Sequence, residues 1–174
     1  MIGASIIVLN KDEHDALSAN GLPFFEGRPI HELARVALLL LAVPHISHEE
    51  HIDLIDELFV RGDNAERIAL LRAVSLLPNP GRFLATAVEA CRANVQTVFE
   101  AIACENPYPS CYFPESNFNQ LVLKAIFTSV SLQRIVGLSD RVTPALKGMV
   151  SDHIKERTAA GRPVHEDVAL IMNP

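Results

Sequence analysis

Apolar residues recur along most of the chain at intervals of three and four, which is the spacing of one face of an α-helix. Two such stripes lie between residues 52 and 74, and they consist of Ile52, Ile55, Leu58 and Phe59 and of Ile68, Leu71 and Val74. Only "SIIVL", residues 5–9, resembles a strand, and a lone strand has no partner with which to pair. The pattern therefore predicts an all-α protein.

Capping residues, prolines and glycines mark where the helices begin and end. Ser47 with Glu50 and Asp63 with Glu66 have the spacing of capping boxes. Prolines suited to a first turn and glycines suited to the left-handed position after a helix are Pro29, Pro80, Pro114 and Pro144, and Gly21, Gly62 and Gly161. The predicted helices lie near 30–43, 48–61, 64–77, 80–103, 114–130 and 144–160, with shorter ones near 12–20, 131–136 and 164–171.

The links between these helices are short, and short links make consecutive helices antiparallel. We therefore expect antiparallel helical hairpins, arranged in a bundle or in a short right-handed stack similar to HEAT repeats. A chain of 174 residues is expected to form one domain, residues 1–174, in which residues 1–28 are an N-terminal arm or a short helix.

Composition and charge narrow the functional classes. Hydrophobic residues make up 49% of the chain, yet no apolar run approaches the roughly 20 residues of a membrane span, so we expect a soluble protein without membrane insertion. The net charge of −6 argues against nucleic-acid binding. The first residues do not resemble a secretion signal, which predicts a cytoplasmic protein with Cys91, Cys104 and Cys111 as reduced thiols.

The segment "HISHEEH", residues 45–51, has a histidine at every third position and invites a metal-site hypothesis. Ser47 and Glu50 already account for it as a helix start, and three residues on one turn cannot surround a metal without distant ligands. We therefore predict a solvated helix N terminus, no metal site and no cofactor.

The segment "CENPYPSCYFPESNFNQLVLKA", residues 104–125, is rich in proline, aromatic and amide side chains. Pro107 and Pro109 disfavour a helical conformation at the residues before them, so a stiff, extended connection is expected between a helix ending near Cys104 and one starting at Pro114. Tyr108, Tyr112 and Phe113 on this connection are expected to pack on the protein.

The helix after Pro114 is apolar on all sides and is expected to be central, apart from one polar face. Asn117, Gln120 and Lys124 share that face. Three hypotheses remain open for Lys124: its ammonium reaches solvent, it pairs with Glu100 or Glu105, or it lines a cavity.

Seven residues are candidates for ligand binding because amide, hydroxyl and ammonium groups are concentrated here. They are Asn94, Asn106, Tyr108, Asn117, Asn119, Gln120 and Lys124. Asn94 borders an apolar stripe of the preceding helix and has either a structural role or a place in the pocket wall. His153 and Arg157 are expected to serve packing or contacts at a helix end.

No catalytic residue is assigned, because the chain contains no Ser/His/Asp arrangement, Walker loop or glycine-rich dinucleotide turn. Three functions remain open. The chain is a binding protein for a small molecule, a scaffold for a partner protein without a ligand pocket, or an enzyme that uses Lys124 as base or nucleophile. The first is favoured, so a non-enzymatic role is expected.

Five segments of the sequence together resemble the EboA family of bacterial ebo gene clusters. They are "LLPNPGRF" (76–83), "RANVQTVFEAIACENPYP" (92–109), "FNQLVLKAIF" (118–127), "RIVGL" (134–138) and "HIKERTAAGRPV" (153–164). The resemblance extends from about residue 31 to the end of the chain. Many members carry Trp at the position of Phe118 and a bulky or charged residue at that of Thr158.

The resemblance implies an accessory role in making or moving a secondary metabolite, next to a membrane-bound prenyltransferase encoded in the same operon. In cyanobacteria the family is associated with export of pigment precursors to the periplasm. Expected partners are therefore other proteins of the ebo cluster or a small secondary-metabolite intermediate, and peripheral membrane association stays open. The resemblance carries over no catalytic residue.

Overall fold

The computed structural model describes residues 27–47 and 49–173, and these residues contain nine α-helices and no β-strand. The helices are α1 (Ile30–Ala42), α2 (Glu50–Arg61), α3 (Asn64–Ala73), α4 (Leu84–Ala90), α5 (Gln96–Ala103), α6 (Tyr108–Tyr112), α7 (Glu115–Phe127), α8 (Pro144–Ala159) and α9 (Ala169–Met172). The prediction of an all-α fold is confirmed. The strand-like segment 5–9 and the predicted helix 12–20 lie outside the described residues.

The chain divides into two compact units, with the boundary between Thr86 and Ala87, inside α4. Expectations of a single domain and of antiparallel hairpins in a bundle or HEAT-like stack remain predictions.

In the first unit, α1 and α2 both pack against α3. Val36 of α1 and Ala69 and Ala73 of α3 form a buried cluster, which lies among Leu33, Leu39, Leu40 and Leu76. The buried Arg72 guanidinium lies 3.7 Å from the Glu32 carboxylate. The small residues on α3 let α1 approach closely, which buries Val36, while Leu38 and Leu41 of α1 stay exposed.

The predicted capping box is confirmed at Asp63 and Glu66, whereas Ser47 lies before the N-cap of α2, which is Glu49 and has no side-chain cap. Asp63 accepts a hydrogen bond from the Glu66 backbone N–H at 2.8 Å, and Glu66 accepts one from the Asp63 N–H at 2.8 Å. Ser47 and Glu50 also bond reciprocally before α2. The glycine prediction is wrong at Gly62, where φ is −64°, and confirmed at Gly161, where φ is +63°.

The predicted long helix 80–103 is wrong, because the structure has a 3₁₀ turn at Pro80–Phe83, then α4, then α5. Between α4 and α5, the N–H groups of Cys91, Arg92 and Ala93 bond three residues back, which tightens the last turn. Val95 is then extended and 40% exposed. The apolar stripe continues through this break, so periodicity alone does not reveal it.

The predicted extended connection between Cys104 and Pro114 is also wrong, because it contains the short helix α6. The Asn106 side chain accepts a hydrogen bond from the Tyr108 N–H at 3.0 Å and starts this helix. Pro109 lies in the first turn, where its missing N–H costs nothing. Tyr108 and Phe113 are buried, so the predicted packing of the connection is confirmed for these two residues, whereas Tyr112 is 38% exposed.

In the second unit, α7 packs against α8, and α8 packs against α9. The buried side chains of α7 are Phe118, Asn119, Leu121, Val122, Ala125 and Ile126. The helix is thus largely internal, as predicted, but its last residue, Phe127, is 65% exposed. Lys124 interrupts the apolar surface one turn earlier, where α7 borders the end of α4.

Candidate functional site

A cleft of about 480 Å³ in the second unit lies beside the polar face of α7. Its walls come from the end of α4, from Phe113 and from α7, and its lining residues are Val88, Cys91, Arg92, Phe113, Asn117, Gln120, Leu121 and Lys124. We call it the Lys124 cleft. Its volume falls within the range of roughly 300–1,000 Å³ typical of small-molecule sites.

Asn117, Gln120 and Lys124 line this cleft together, because positions separated by three and four residues lie on one side of α7. Asn117 is partly buried and Gln120 is exposed at the rim. Neither side-chain amide bonds to a residue that the structure describes. These three residues are the predicted candidates that the structure brings together.

Lys124 is fixed by the loop that follows α4. Its ammonium donates hydrogen bonds to the Cys91 carbonyl at 2.6 Å and the Ala93 carbonyl at 2.7 Å, and it lies 4.7 Å from the centre of the Phe99 ring. Burial lowers the pKa of the ammonium, while the electrostatic influence of Cys91 acts in the opposite direction. An ammonium has three N–H donors, so one is left for a ligand.

The hypothesis that Lys124 pairs with Glu100 or Glu105 is wrong, because Arg134 binds both carboxylates. It donates to Glu100 at 2.7 Å and to Glu105 at 2.6 and 3.0 Å. Burial acts to raise the pKa of Glu100, but the hydrogen bonds from Arg134 and Gln96 prevail and hold it below its ordinary value. Lys124 is thus the cavity-lining cation of the third hypothesis, and no carboxylate among the described residues pairs with it.

Phe113 forms the opposite side of the cleft and is held by Arg141. The Arg141 guanidinium donates to the Phe113 carbonyl at 2.7 Å and to the Ser110 carbonyl, and it lies 4.5 Å from the centre of the Phe118 ring. The wall is therefore supported by side chains that do not themselves line the cleft.

Cys91 and Arg92 line the cleft although the sequence did not single them out as ligand-binding residues. Burial raises the pKa of the Cys91 thiol to about 12, against the smaller influence of Lys124 and Arg92. Arg92 is exposed and pairs with Glu89 at 2.9 Å. The sequence predicted one continuous helix through Cys91 and Arg92. The break after α4 is what places both residues at the cleft.

Asn106 and Tyr108 serve the fold and do not line the cleft. The Asn106 amide donates to the Ala101 carbonyl at 3.0 Å and its oxygen accepts from the Tyr108 N–H. Tyr108 is fully buried, which raises the pKa of its hydroxyl, and its ring lies 4.8 Å from that of Tyr112.

Asn94 and Asn119 also lie away from the cleft lining. Asn94 is exposed in the loop between α4 and α5, one residue after a carbonyl that binds Lys124. Asn119 is buried on another side of α7, and its Oδ1 atom accepts no hydrogen bond from the residues that the structure describes.

A smaller cleft of about 180 Å³ borders the ends of α7 and α8 and includes His153, Arg157 and His165. The buried His153 ring packs against Phe127 with ring centres 4.6 Å apart. Arg157 donates two hydrogen bonds to the Pro163 carbonyl, at 3.0 and 2.9 Å. These contacts agree with the predicted roles in packing and at a helix end.

The histidine-rich segment starts α2, as predicted, but His51 is not solvated. Its ring is buried, and Nε2 lies 3.0 Å from the Val43 carbonyl and 3.2 Å from the Ile46 carbonyl. His48 lies outside the described residues. The described part of the chain contains no group of three or more His, Cys, Asp or Glu residues placed to hold a metal ion.

Fold and cleft together define a class: an all-α protein with an open, polar-lined cleft in its second unit. None of the described helices is long and apolar enough to cross a bilayer. The chain belongs to the EboA family, since the profile described as "Metabolite traffic protein EboA" matches residues 6–173. No curated protein and no solved structure matches the chain. The family description places the protein in metabolite traffic.

Proposed function

We propose that this protein binds a small metabolite in the Lys124 cleft and holds it for a partner of the same pathway. The observation that carries this proposal is the ammonium of Lys124, which two backbone carbonyls fix in place while one N–H stays available. A preformed donor next to apolar walls suits a ligand site. The family's description supports a cargo of metabolite size.

The binding test uses the two amides as reporters. In ¹⁵N-labelled protein titrated with the small-molecule fraction of producing cells, we expect the side-chain NH₂ signals of Asn117 and Gln120 to shift. The exposed Asn94 amide, which does not line the cleft, is the internal control and should not shift.

Two variants test whether the metabolite binds in the Lys124 cleft. Gln120→Ala and Lys124→Met should each weaken binding of the active fraction in calorimetry. Gln120 is exposed, so its loss leaves the fold intact. If both variants bind as tightly as the unmodified protein, the cleft is not the site and the proposal fails.

The second candidate function is a scaffold that docks a partner protein without any ligand. The observation that favours it is the same pair of carbonyl contacts, because they also give Lys124 a role in ending α4. A scaffold predicts that pull-downs recover another product of the gene cluster from ligand-free protein. It also predicts that Lys124→Met lowers the melting temperature while no metabolite shifts the amide signals.

An enzymatic role for Lys124 has less support in the geometry. Burial lowers the pKa of the ammonium, as a base or nucleophile requires, but two hydrogen bonds to carbonyl oxygens occupy two of its N–H groups and hold it against the loop after α4. Borohydride trapping of a carbonyl compound on Lys124 would favour this role. Full complementation of a deletion strain by Lys124→Arg would count against it.

A further inference from the structure

The Lys124 cleft is positively charged although the whole chain is acidic. Lys124 and Arg92 line it, and none of the described residues that line it carries a carboxylate. Two neighbouring acids are already engaged, since Glu89 pairs with Arg92 and Glu115 accepts a hydrogen bond from Thr143 at 2.7 Å. An anion entering the cleft therefore meets no lining acid, the Lys124 ammonium, and the Arg92 guanidinium that Glu89 already pairs.

The first turn of α7 adds to this positive potential. The helix starts after Pro114, no side chain caps its N terminus, and Asn117 of its first turn lines the cleft. The first N–H groups of a helix lack intrahelical partners and carry the positive end of the helix dipole. The contribution of the helix is small, because the carboxylate of Glu115 in the same turn offsets the positive end of the dipole, so Lys124 supplies most of the positive charge in the cleft.

The available donors are enough to satisfy one carboxylate. One N–H of Lys124 is left, and the amides of Asn117 and Gln120 have no hydrogen-bond partner among the described residues. A carboxylate offers about four acceptor positions on two oxygens. A dianionic phosphate needs more fixed charge than one ammonium and one exposed, already paired guanidinium supply.

The rest of the lining is apolar or neutral. Val88, Phe113 and Leu121 provide apolar surface, and the Cys91 thiol stays protonated because burial raises its pKa to about 12. A protonated thiol adds no negative charge and is a poor nucleophile. The cleft therefore offers a polar wall for a head group and an apolar wall for a body.

We infer that the ligand of the Lys124 cleft is an organic carboxylate with an apolar body, bound through its carboxylate to Lys124 and the amides of α7. The inference rests on the proposed function, because it names the class of metabolite that the cleft holds. The bound metabolite would thus carry a negative charge at one end and an apolar body at the other.

A pair of probes of equal shape tests the charge. 2-Naphthoate and its neutral amide, 2-naphthamide, share one apolar body and differ in the head group. We expect calorimetry to show that naphthoate binds about tenfold more tightly, because its carboxylate pairs with the Lys124 ammonium and the neutral amide does not. 2-Naphthyl phosphate serves as a third probe and should bind no more tightly than naphthoate.

A charge reversal at the rim provides the matched variant. Gln120→Glu places a carboxylate beside the expected head group without disturbing the fold, because Gln120 is exposed. Naphthoate affinity should fall about tenfold in this variant, while naphthamide affinity stays unchanged. Thr158→Glu, at an exposed position of α8 outside the cleft lining, adds the same charge elsewhere and should leave both affinities unchanged.

The outcomes separate this inference from the proposed function. If naphthamide binds as tightly as naphthoate and Gln120→Ala weakens both, the cleft binds neutral ligands and only the carboxylate inference fails. If the phosphate probe binds most tightly, the head-group assignment is wrong. If none of the three probes binds at millimolar concentration, the carboxylate inference fails, and the proposed function is decided separately by the titration with the small-molecule fraction of producing cells.

Discussion

Asp167 shows how one polar residue fixes an irregular segment of this protein. Its carboxylate accepts hydrogen bonds from the Ser131 hydroxyl at 2.6 Å and the Leu132 N–H at 2.8 Å. These bonds tie the 3₁₀ turn Leu132–Arg134 to the turn before α9. The hydrogen bond from Ser131 is the main reason that the pKa of Asp167 lies below its ordinary value.

We expect Asp167→Asn to lower the free energy of unfolding by about 2 kcal/mol near neutral pH, because hydrogen bonds to a charged acceptor are replaced by weaker ones. The folded-state pKa lies below the unfolded value of about 3.9. The ionised carboxylate therefore stabilises the fold above that pH, and this stabilisation is lost as the pH falls through the folded-state pKa.

Urea unfolding at pH 7 and at several values below 4 measures this difference. The gap between the unmodified protein and Asp167→Asn should shrink as the solution becomes more acidic. Asp140→Asn, at an exposed aspartate, is the control and should change stability by less than about 0.5 kcal/mol. A gap that stays constant down to pH 2 would contradict the assigned role of the charge.

At the scale of elements, local sequence signals gave most helix starts but missed those of α5 and α6. Capping residues act within one turn, so Asp63 and Glu66 mark α3 whatever surrounds them. The break after α4 depends on Lys124, which supplies donors to two carbonyls from more than thirty residues away. An apolar stripe that crosses such a break looks like one long helix.

The short helix α6 depends on one side chain close to it in sequence, Asn106. We expect Asn106→Ala to lower the free energy of unfolding by about 2 kcal/mol, because it leaves the buried Ala101 carbonyl and Tyr108 N–H without these partners. Asn94→Ala is the matched control, since that amide is exposed, and should change stability by less than about 0.5 kcal/mol. Chemical denaturation measures both, and equal effects would be inconsistent with a structural role specific to Asn106.

At the scale of the whole molecule, the division into two units raises the question of whether both units unfold together. The expectation of a single domain predicts one unfolding transition for the entire chain. Both tyrosines lie in the second unit and the chain has no tryptophan, so tyrosine fluorescence reports on that unit alone.

Asp63→Ala tests this expectation from the first unit. Loss of the cap should destabilise α3 by about 1 kcal/mol. If the chain unfolds as one domain, the urea midpoint measured by tyrosine fluorescence falls together with the midpoint measured by circular dichroism. A tyrosine midpoint that does not move while the circular dichroism curve splits would show two independent units.

The sequence by itself determined the all-α class, most helix starts, the shared face of Asn117, Gln120 and Lys124, and the family. These properties depend on periodicity, caps and local motifs, which act over a few residues. Only the tertiary structure decided which candidates meet in the cleft. It placed Asn106 and Tyr108 in local contacts that serve the fold. It also brought Cys91 and Arg92 beside Lys124 from a segment more than thirty residues away, which no local pattern reveals.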